Sequence, residues 1–370
     1  MPPPRQILLL TEESGVGGVQ TTLGLLSSAL AARGWQIARL PVRRGRPSLW
    51  ACWQAARRAQ VLVASNNFWP AYWAVALGWL SGRPSVVWVH GPLSEVLQQA
   101  GASRAKRWWL RTVYRWASLL VCASQTSCDS LGRVMAGGVR ARQPAVCVIH
   151  NPVVLPGTAA AHSTAASPFS ADGDAPQDVM PLGFIGRLSP EKQPVQLIAM
   201  LQHLPARYRL HVVGDGELMG EMQSAGRSLI AQGRLHLHGQ QTVSAQTYRA
   251  WRATVLCSLY EGYPMTALES LACGVPCVST PIPAMQEMLG TLAPGWLAQD
   301  DSPAALAEAV QRCLAQAPDV QHAAIDRLRD QHRLETFAQA WHQLLTRVMQ
   351  RSPGQGHEAL GDDPAAGDRP

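Results

Sequence analysis

The sequence predicts an α/β protein in two domains. Short apolar runs of strand length alternate with helical segments along most of the chain, the pattern of parallel sheets joined by crossover helices. A stretch over residues 156–179, rich in Ala, Ser, Pro, Gly and Asp, interrupts the alternation and reads as a flexible linker. At Thr254–Thr280 a strand, a tight turn, a helix and a second strand follow one another. The expected division is therefore a first domain over 1–155, a second over 180–333, a last helix over 334–351 and a disordered polar tail over 352–370. With 370 residues and 47% apolar content, the chain can bury two cores of ordinary size.

In the first half, Arg5–Leu10 reads as a buried parallel strand. It feeds a glycine loop containing Gly17 and Gly18, and a helix follows through Ala32. Strand, glycine loop and helix outline a phosphate or sugar site, although a tight strand-to-helix turn would use the same glycines. No Gly-Lys-Ser/Thr occurs, so this is not a Walker loop. Further strands are expected at Ile37–Val42, Val61–Ala64, Val86–His90, Leu119–Ser124 and Val146–Val153. His90 closes its strand just before Gly91. A lone histidine there is ordinarily structural.

The second half opens a new sheet at Met180. Strand, turn and helix start run to Gln193, with Arg187 and Lys192 on either side of Pro190. A guanidinium fork and an ammonium point charge at one turn can neutralise a diphosphate. Tyr208–Val213 leads into a turn with Gly214 and Gly216. Leu235–Leu237 leads to Gly239. His236 and His238 flank Leu237 with no third ligand expected near them, so a metal site is not expected. Then comes the strand Thr254–Leu259, the turn Glu261-Gly262-Tyr263, and a helix with Pro264 expected at its first position. Leu268, Leu271 and Ala272 give the helix a buried face. Gly274 ends it, and Val275–Ser279 begins another strand. Glu261 and Glu269 frame the helix start, where free amides favour phosphate. Carboxylates there suit the paired hydroxyls of a ribose or a sugar. Beyond it, Asp301–Glu308 reads as a well-capped helix start, and Leu334, Phe337, Trp341, Leu344, Leu345 and Val348 mark a final amphipathic helix.

Glu261-Gly-Tyr-Pro followed by Glu269-Ser-Leu-Ala-Cys-Gly-Val-Pro-Cys-Val resembles the Glu-x7-Glu signature of family 4 glycosyltransferases, retaining and nucleotide-sugar-dependent enzymes of the GT-B fold. The resemblance covers about residues 5–350 and implies two Rossmann-like domains facing a central cleft, the first binding the acceptor and the second the donor. It implies that Glu261 faces the donor sugar and Glu269 holds the ribose. Arg187 and Lys192 would bind the donor diphosphate, and His90 would act at the donor sugar. Gly17 and Gly18 would lie beside the donor phosphate and the acceptor. Gly214 and Gly216 would border the nucleotide and Gly239 its base. Ser124 resembles the family's strand-end serine. Many members have glycine where Pro264 stands. Proline offers no amide, so backbone contacts would come from Gly262, Tyr263 and Met265. The implied activity is transfer of a hexose from UDP or GDP to a lipid-linked or cell-envelope glycan, in polysaccharide or lipopolysaccharide assembly. No cofactor and no metal are expected. The single Asp172-Gly-Asp174 triplet falls in the linker, and two cations can take a metal's place. Two readings compete: a carbohydrate- or membrane-binding protein without turnover, and a nucleotide-sugar epimerase of the same fold.

Charge is unevenly spread. Residues 1–170 hold 17 Lys and Arg against 4 Asp and Glu, and the remainder holds 15 against 21. Such asymmetry suggests an anionic partner for the first half. No recognisable nucleic-acid module accompanies it. On a helix over residues 104–116, Arg104, Arg107, Arg111 and Arg115 fall in one stripe, with Trp109, Val113 and Trp116 opposite. The expectation is an arginine face on anionic lipid at the inner membrane surface, with the apolar face packed on the sheet. The eight cysteines are scattered and read as reduced thiols. No apolar run approaches the length of a membrane span, and Ile7–Leu10 is too short for a signal-peptide core. A cytoplasmic, peripherally attached protein is therefore expected.

Overall fold

The apolar runs fold as parallel strands, and crossover helices cover their faces. The computed structural model describes residues 5–12, 17–42, 48–136, 144–156 and 178–350. Most of the expected linker, the tail, the Asp172–Asp174 triplet and Ser14–Val16 of the glycine loop lie outside the described residues. The chain divides into two units. One comprises Met1–Ala123, Ser127–Ile149 and the chain from Ala338. The other comprises Ser124–Thr126 and His150–Phe337.

The first unit runs β1 (Arg5–Thr11), α1 (Gly18–Ala31), β2 (Trp35–Pro41), α2 (Leu49–Arg58), β3 (Val61–Ala64), α3 (Trp69–Ser81), β4 (Ser85–Val89), α4 (Leu93–Gln99), α5 (Arg104–Arg115), β5 (Leu119–Cys122), α6 (Gln125–Met135) and β6 (Ala145–Val148). Its sheet has the order β2-β1-β3-β4-β5-β6, parallel throughout. Every residue of β3, β4 and β5 is buried, as expected of strands covered on both faces.

The second unit runs β7 (Met180–Ile185), a 3-10 turn (Pro190–Lys192), α7 (Gln196–His203), β8 (Tyr208–Val213), α8 (Met219–Ala225), α9 (Arg227–Ala231), β9 (Leu235–Leu237), α10 (Ala245–Arg249), β10 (Ala253–Leu256), α11 (Met265–Ala272), β11 (Cys277–Ser279), α12 (Pro283–Leu289), α13 (Pro303–Leu314) and α14 (Pro318–Gln331). Its parallel sheet has the order β11-β10-β7-β8-β9. The last helix, α15 (Leu334–Gln350), joins the first unit from Ala338 onward. There Trp341 is fully buried against Trp88 of β4, ring centroids 4.7 Å apart, and His342 accepts a hydrogen bond from the Trp35 indole at 2.9 Å.

Helix α5 faces differently from its expected orientation. Leu110 and Tyr114, one turn apart, are fully buried, and the Tyr114 hydroxyl donates to Asn67 Oδ1 at 3.1 Å. The arginines flank this seam. Arg107 donates to the Ala102 carbonyl and Arg111 to the Ala136 carbonyl, while Arg115 Nε is buried. The outward side carries Trp108, Trp109 and Trp116, which are 59%, 52% and 59% exposed. Packing decides the orientation here. A leucine and a tyrosine four residues apart seat the helix, and long arginine stems bend their heads to nearby carbonyls. Lys106 is exposed, with its ammonium 5.0 Å from the Phe68 ring centroid.

In the second unit the loops after neighbouring strands are crowded together. Leu188 N–H donates to the Asp215 carbonyl at 3.0 Å, and Gly186 N–H to the Val213 carbonyl at 3.1 Å. Gly214 has φ +141°, and a Cβ there would lie 1.9 Å from the Gly186 carbonyl oxygen. At Gly216 a Cβ would meet the Leu188 carbonyl at 2.4 Å. These glycines are therefore required by backbone packing, whatever binds above them. Gly214→Ala is expected to cost at least about 2 kcal/mol of stability, through forced backbone displacement at a strained φ. Urea unfolding checks this, and an alanine variant as stable as the parent would contradict the crowding.

Candidate functional site

In the second unit the chain leaves β7 toward β8 and β9, then returns to lay β10 on the other side of β7. The strand order reverses at that point, the position where open α/β sheets bind ligands. The two loops concerned are those after β7 and after β10. They are tied together by backbone: Leu259 N–H donates to the Glu191 carbonyl at 2.8 Å. The Cys257 thiol lies 3.3 Å from the carbonyls of Lys192 and Gln193 and donates toward them. Burial keeps that thiol protonated. Across this seam Lys192 Nζ donates to Glu261 Oε1 at 2.5 Å, and Ser258 Oγ donates to the same oxygen at 2.7 Å. The two charged side chains are 26% and 11% exposed. Arg187, on the loop after β7, is exposed and has no ion-pair or hydrogen-bond partner among the described residues.

Helix α11 begins one residue later than expected. Pro264, at φ −69° and ψ 118°, is the residue before the helix rather than its first member, and Met265 starts it. An extended ψ lets the Pro264 carbonyl accept from Leu268 N–H while the chain turns into the helix. The amides of Met265, Thr266 and Ala267 are left without intrahelical acceptors, as at any helix start. Leu268 and Leu271 are fully buried, and Gly274, at φ +81°, follows the last turn. Glu269 lies one turn inside and half-buried, its Oε2 accepting from the Tyr248 hydroxyl at 2.7 Å. Burial raises the Glu269 pKa, and the Tyr248 bond partly offsets that. Burial and the neighbouring carboxylate push the Tyr248 phenol far up, so it remains a donor.

The turn carrying Gly262 and Tyr263 is held from behind. Ser124, which groups with this unit, donates its hydroxyl to the Gly262 carbonyl at 2.6 Å. Asn151 Nδ2 donates to the Tyr263 carbonyl at 3.3 Å. The Tyr263 hydroxyl lies 2.5 Å from His332 Nε2. His332 Nδ1 sits 2.7 Å from the Leu328 carbonyl and must donate to it, so Nε2 accepts from the tyrosine. Tyr263 and His332 are 5% exposed each. Burial holds the His332 pKa down to about 4. Glu287 completes this support. Burial alone would raise its pKa, but bonds from His150, the Thr126 and Gln125 amides and the Thr126 hydroxyl hold it below the ordinary range.

Next along the sheet edge, Gly214 N–H donates to the Gly239 carbonyl at 2.8 Å, joining the turns after β8 and β9. A third histidine does lie near His236 and His238, contrary to expectation. His211 stacks between them at 4.7 and 5.3 Å, because β8 pairs His211 with His236. The rings are within 16° of parallel, and His211 Nδ1 lies 3.1 Å from His238 Nε2, so these two nitrogens share a hydrogen bond with each other. Among the described residues no group of His, Cys, Asp and Glu is arranged to hold a metal ion. Burial, with the neighbouring histidines and Arg209, lowers the His211 pKa to about 3.

The first unit carries Gly17, Gly18 and His90. Its order β2-β1-β3 also reverses after β1, and Gly17 and Gly18 open α1 at that point. Gly17 is extended, with open space where a Cβ would stand, so the backbone does not demand glycine there. His90 follows β4, its ring 4.3 Å from Trp88 and hydrogen-bonded to the Ser65 carbonyl. Nε2 is buried and has no partner among the described residues, and burial lowers the pKa to about 4. The structure thus brings together Lys192, Glu261, Gly262, Tyr263, Met265 and Glu269. Ser258, Tyr248 and His332 complete the site and carry no motif of their own.

Two family profiles match the chain: "Glycosyltransferase Family 4" over residues 38–156 and "Glycosyl transferases group 1" over residues 170–331. A lipopolysaccharide 1,6-galactosyltransferase of Salmonella typhimurium is 30% identical over 154 residues, 40% of this chain and 39% of the relative. The enzyme of the same name from Escherichia coli is 34% identical over 102 residues, 26% of this chain and 28% of the relative. The chain thus aligns with less than half the length of these relatives. Among solved structures, Anabaena Alr3699/HepE in complex with UDP and glucose superposes with a TM-score of 0.74 at 17% identity, covering 93% of this chain and 100% of that one. Each unit accordingly has the α/β layout of the GT-B fold.

The buried neutral histidines make stability depend on pH. His90, His211 and His332 take up protons near 6.5 when unfolded but only near 4, 3 and 4 when folded. Stability is therefore full above about pH 6.5 and is lost as pH falls toward 4, by up to about 1.4 kcal/mol per pH unit for each histidine. Urea midpoints measured at neutral pH and again one to two units lower test this. Equal midpoints would contradict the uncharged state.

Proposed function

Because the chain belongs to the family 4 glycosyltransferases, we propose that it transfers a hexose from a nucleotide-diphospho-sugar to a hydroxyl of a cell-envelope or lipid-linked glycan, with retention at the anomeric carbon. The observation that carries this reading is the Lys192–Glu261 pair at the strand-order reversal, beside the open amides of α11. Arg187 and Lys192 bind the diphosphate, and together with the α11 amides they stabilise the charge that develops as it leaves. These cations serve where a metal would otherwise be used. Glu261 orients the donor sugar. Glu269, steadied by Tyr248, accepts from the ribose hydroxyls. His90 supplies an uncharged imidazole nitrogen suited to a sugar hydroxyl. UDP-galactose is the first donor to try, since the lipopolysaccharide relatives are galactosyltransferases by name and the Anabaena structure holds UDP. A lipopolysaccharide-type oligosaccharide is the matching acceptor.

The test is incubation with nucleotide sugars and a lipopolysaccharide core acceptor, with NMR of the new anomeric linkage. Retained configuration in a product formed equally well in EDTA is expected. Epimerised donor appearing without acceptor would replace this reading with the epimerase one, and donor binding without turnover would favour the non-catalytic one.

Two further outcomes follow from the geometry. Lys192→Ala is expected to weaken UDP binding by about 10- to 150-fold, the range for a charge-assisted contact of about 1.5–3 kcal/mol. Unchanged calorimetric affinity in an Arg187→Ala, Lys192→Ala double variant would remove both residues from the diphosphate site. Glu269→Gln is expected to impair binding of free UDP and of UDP-sugar alike, whereas Glu261→Gln affects mainly the UDP-sugar. Equal losses for both ligands in both variants would refute that division of roles.

A further inference from the structure

The first unit has an exposed apolar face that its fold does not use. Helices α2, α3 and α5 meet around a groove of about 830 Å³, lined almost wholly by carbon. Trp50, Trp79 and Trp116 on its walls are 63%, 73% and 59% exposed, and Leu49 and Leu80 are 69% and 58% exposed. Soluble proteins seldom show a contiguous apolar surface of this size without a partner for it. The sequence builds the groove deliberately. Helix α3 contains no charged residue and turns Trp79 and Leu80 outward, and α2 begins with Leu49 and Trp50.

Charge indicates what covers this face. Between residues 14 and 128 the sequence contains one acidic residue, Glu95, against 13 Lys and Arg. Arg57 and Arg83 stand at the margin of the face, and further cations are exposed on α2 and α5. The Arg57 guanidinium lies 5.0 Å from the Trp53 ring centroid, and Arg83 donates to the Arg57 carbonyl. Arg58, Arg104 and Lys106 are exposed. A protein partner would call for about one hydrogen bond per 100–200 Å² of interface, and this lining offers few polar groups. An irregular apolar groove rimmed by cations suits fluid acyl chains beneath anionic headgroups. Indoles favour that interfacial layer, and basic residues near it gain from the negative surface potential.

We infer that this tryptophan face of α2, α3 and α5 seats in the interfacial layer of an anionic bilayer, with the indoles inserted and the surrounding cations on the headgroups. The contact differs from a purely electrostatic one through the arginines of α5, three of which flank the buried seam. It does not depend on the transferase reading.

The experiment is flotation of the full chain with vesicles of phosphatidylcholine alone or mixed with phosphatidylglycerol. It is paired with quenching of tryptophan fluorescence by lipids brominated high on the acyl chain. The parent is expected to float with the mixed vesicles, to be quenched, and to retain part of its binding in high salt. A Trp50→Ser, Trp79→Ser, Trp116→Ser variant, altered only at exposed positions, is expected to keep its circular dichroism and bind at least about tenfold more weakly, a loss of about 1.4 kcal/mol. An Arg107→Gln, Arg111→Gln, Arg115→Gln variant, checked for folding in the same way, is expected to float nearly as well as the parent. The inference is overturned if the tryptophan variant floats like the parent, or if the arginine variant alone loses binding. It is also overturned if the parent ignores vesicles and instead self-associates through this face, as sedimentation would reveal.

Discussion

The site depends on one constraint, that β7 and β10 lie side by side while the chain travels outward from β7 in the opposite direction. This adjacency brings Lys192 and Glu261, 69 residues apart in sequence, within 2.5 Å. An ion pair so little exposed adds little net stability, because desolvating both charges roughly cancels their attraction. The surrounding bonds explain how it is kept. The backbone bond from Leu259 to Glu191 joins the two loops independently of the charges, and the Ser258 hydroxyl helps to orient the Glu261 carboxylate. The pair is thus carried by the fold and held ready. An ammonium already desolvated and already aimed needs little reorganisation when an anion arrives, and this is the condition under which electrostatic stabilisation is most effective.

Behind the pair, the support is layered. The Tyr263 main chain belongs to the turn, while its side chain reaches back to His332 after α14, and His332 is locked by the Leu328 carbonyl. Each link has its proton placed. A carbonyl fixes Nδ1 as donor, which makes Nε2 the acceptor, which makes the tyrosine hydroxyl the donor. Burial keeps the tyrosine protonated and the histidine neutral, so the chain of bonds has one orientation across the neutral pH range. Tyr248 does the same for Glu269 from another side. Two tyrosines with raised pKa values thus orient the framework that stands behind the charged groups.

Much of this framework was legible in the sequence, and the residues show why. Glu261, Gly262 and Glu269 belong to a local strand–turn–helix unit, where turn chemistry and helix period act over a few residues. Lys192 and Arg187 stand at a similarly local turn. Tyr248, His332 and Ser258 carry no such signal, because their roles arise from contacts that only the folded sheet creates. The His211 stack is of the same kind: it follows from the register of β8 on β9, which the alternation of residues within each strand does not reveal. Helix α5 departs from its sequence pattern for a different reason. Residue type suggests arginines outward and tryptophans inward, but Leu110 and Tyr114, with Val113 beside them, seat the helix on the core, and the larger indoles are left on the surface.

The charge pattern separates two ways of attracting an anion. The second half of the sequence is acidic overall, with 21 Asp and Glu against 15 Lys and Arg over residues 171–370. Its affinity for a diphosphate therefore cannot come from net charge. On the reading proposed above, it would come instead from a few groups at one sheet edge, Arg187, Lys192 and the first amides of α11. The first half is basic almost everywhere and places no carboxylate among its exposed tryptophans. Diffuse charge of that kind attracts any anionic surface but fixes no orientation, since its field varies slowly over a Debye length. Directional hold must come from shape, and in the first unit the shaped element is the indole-lined groove.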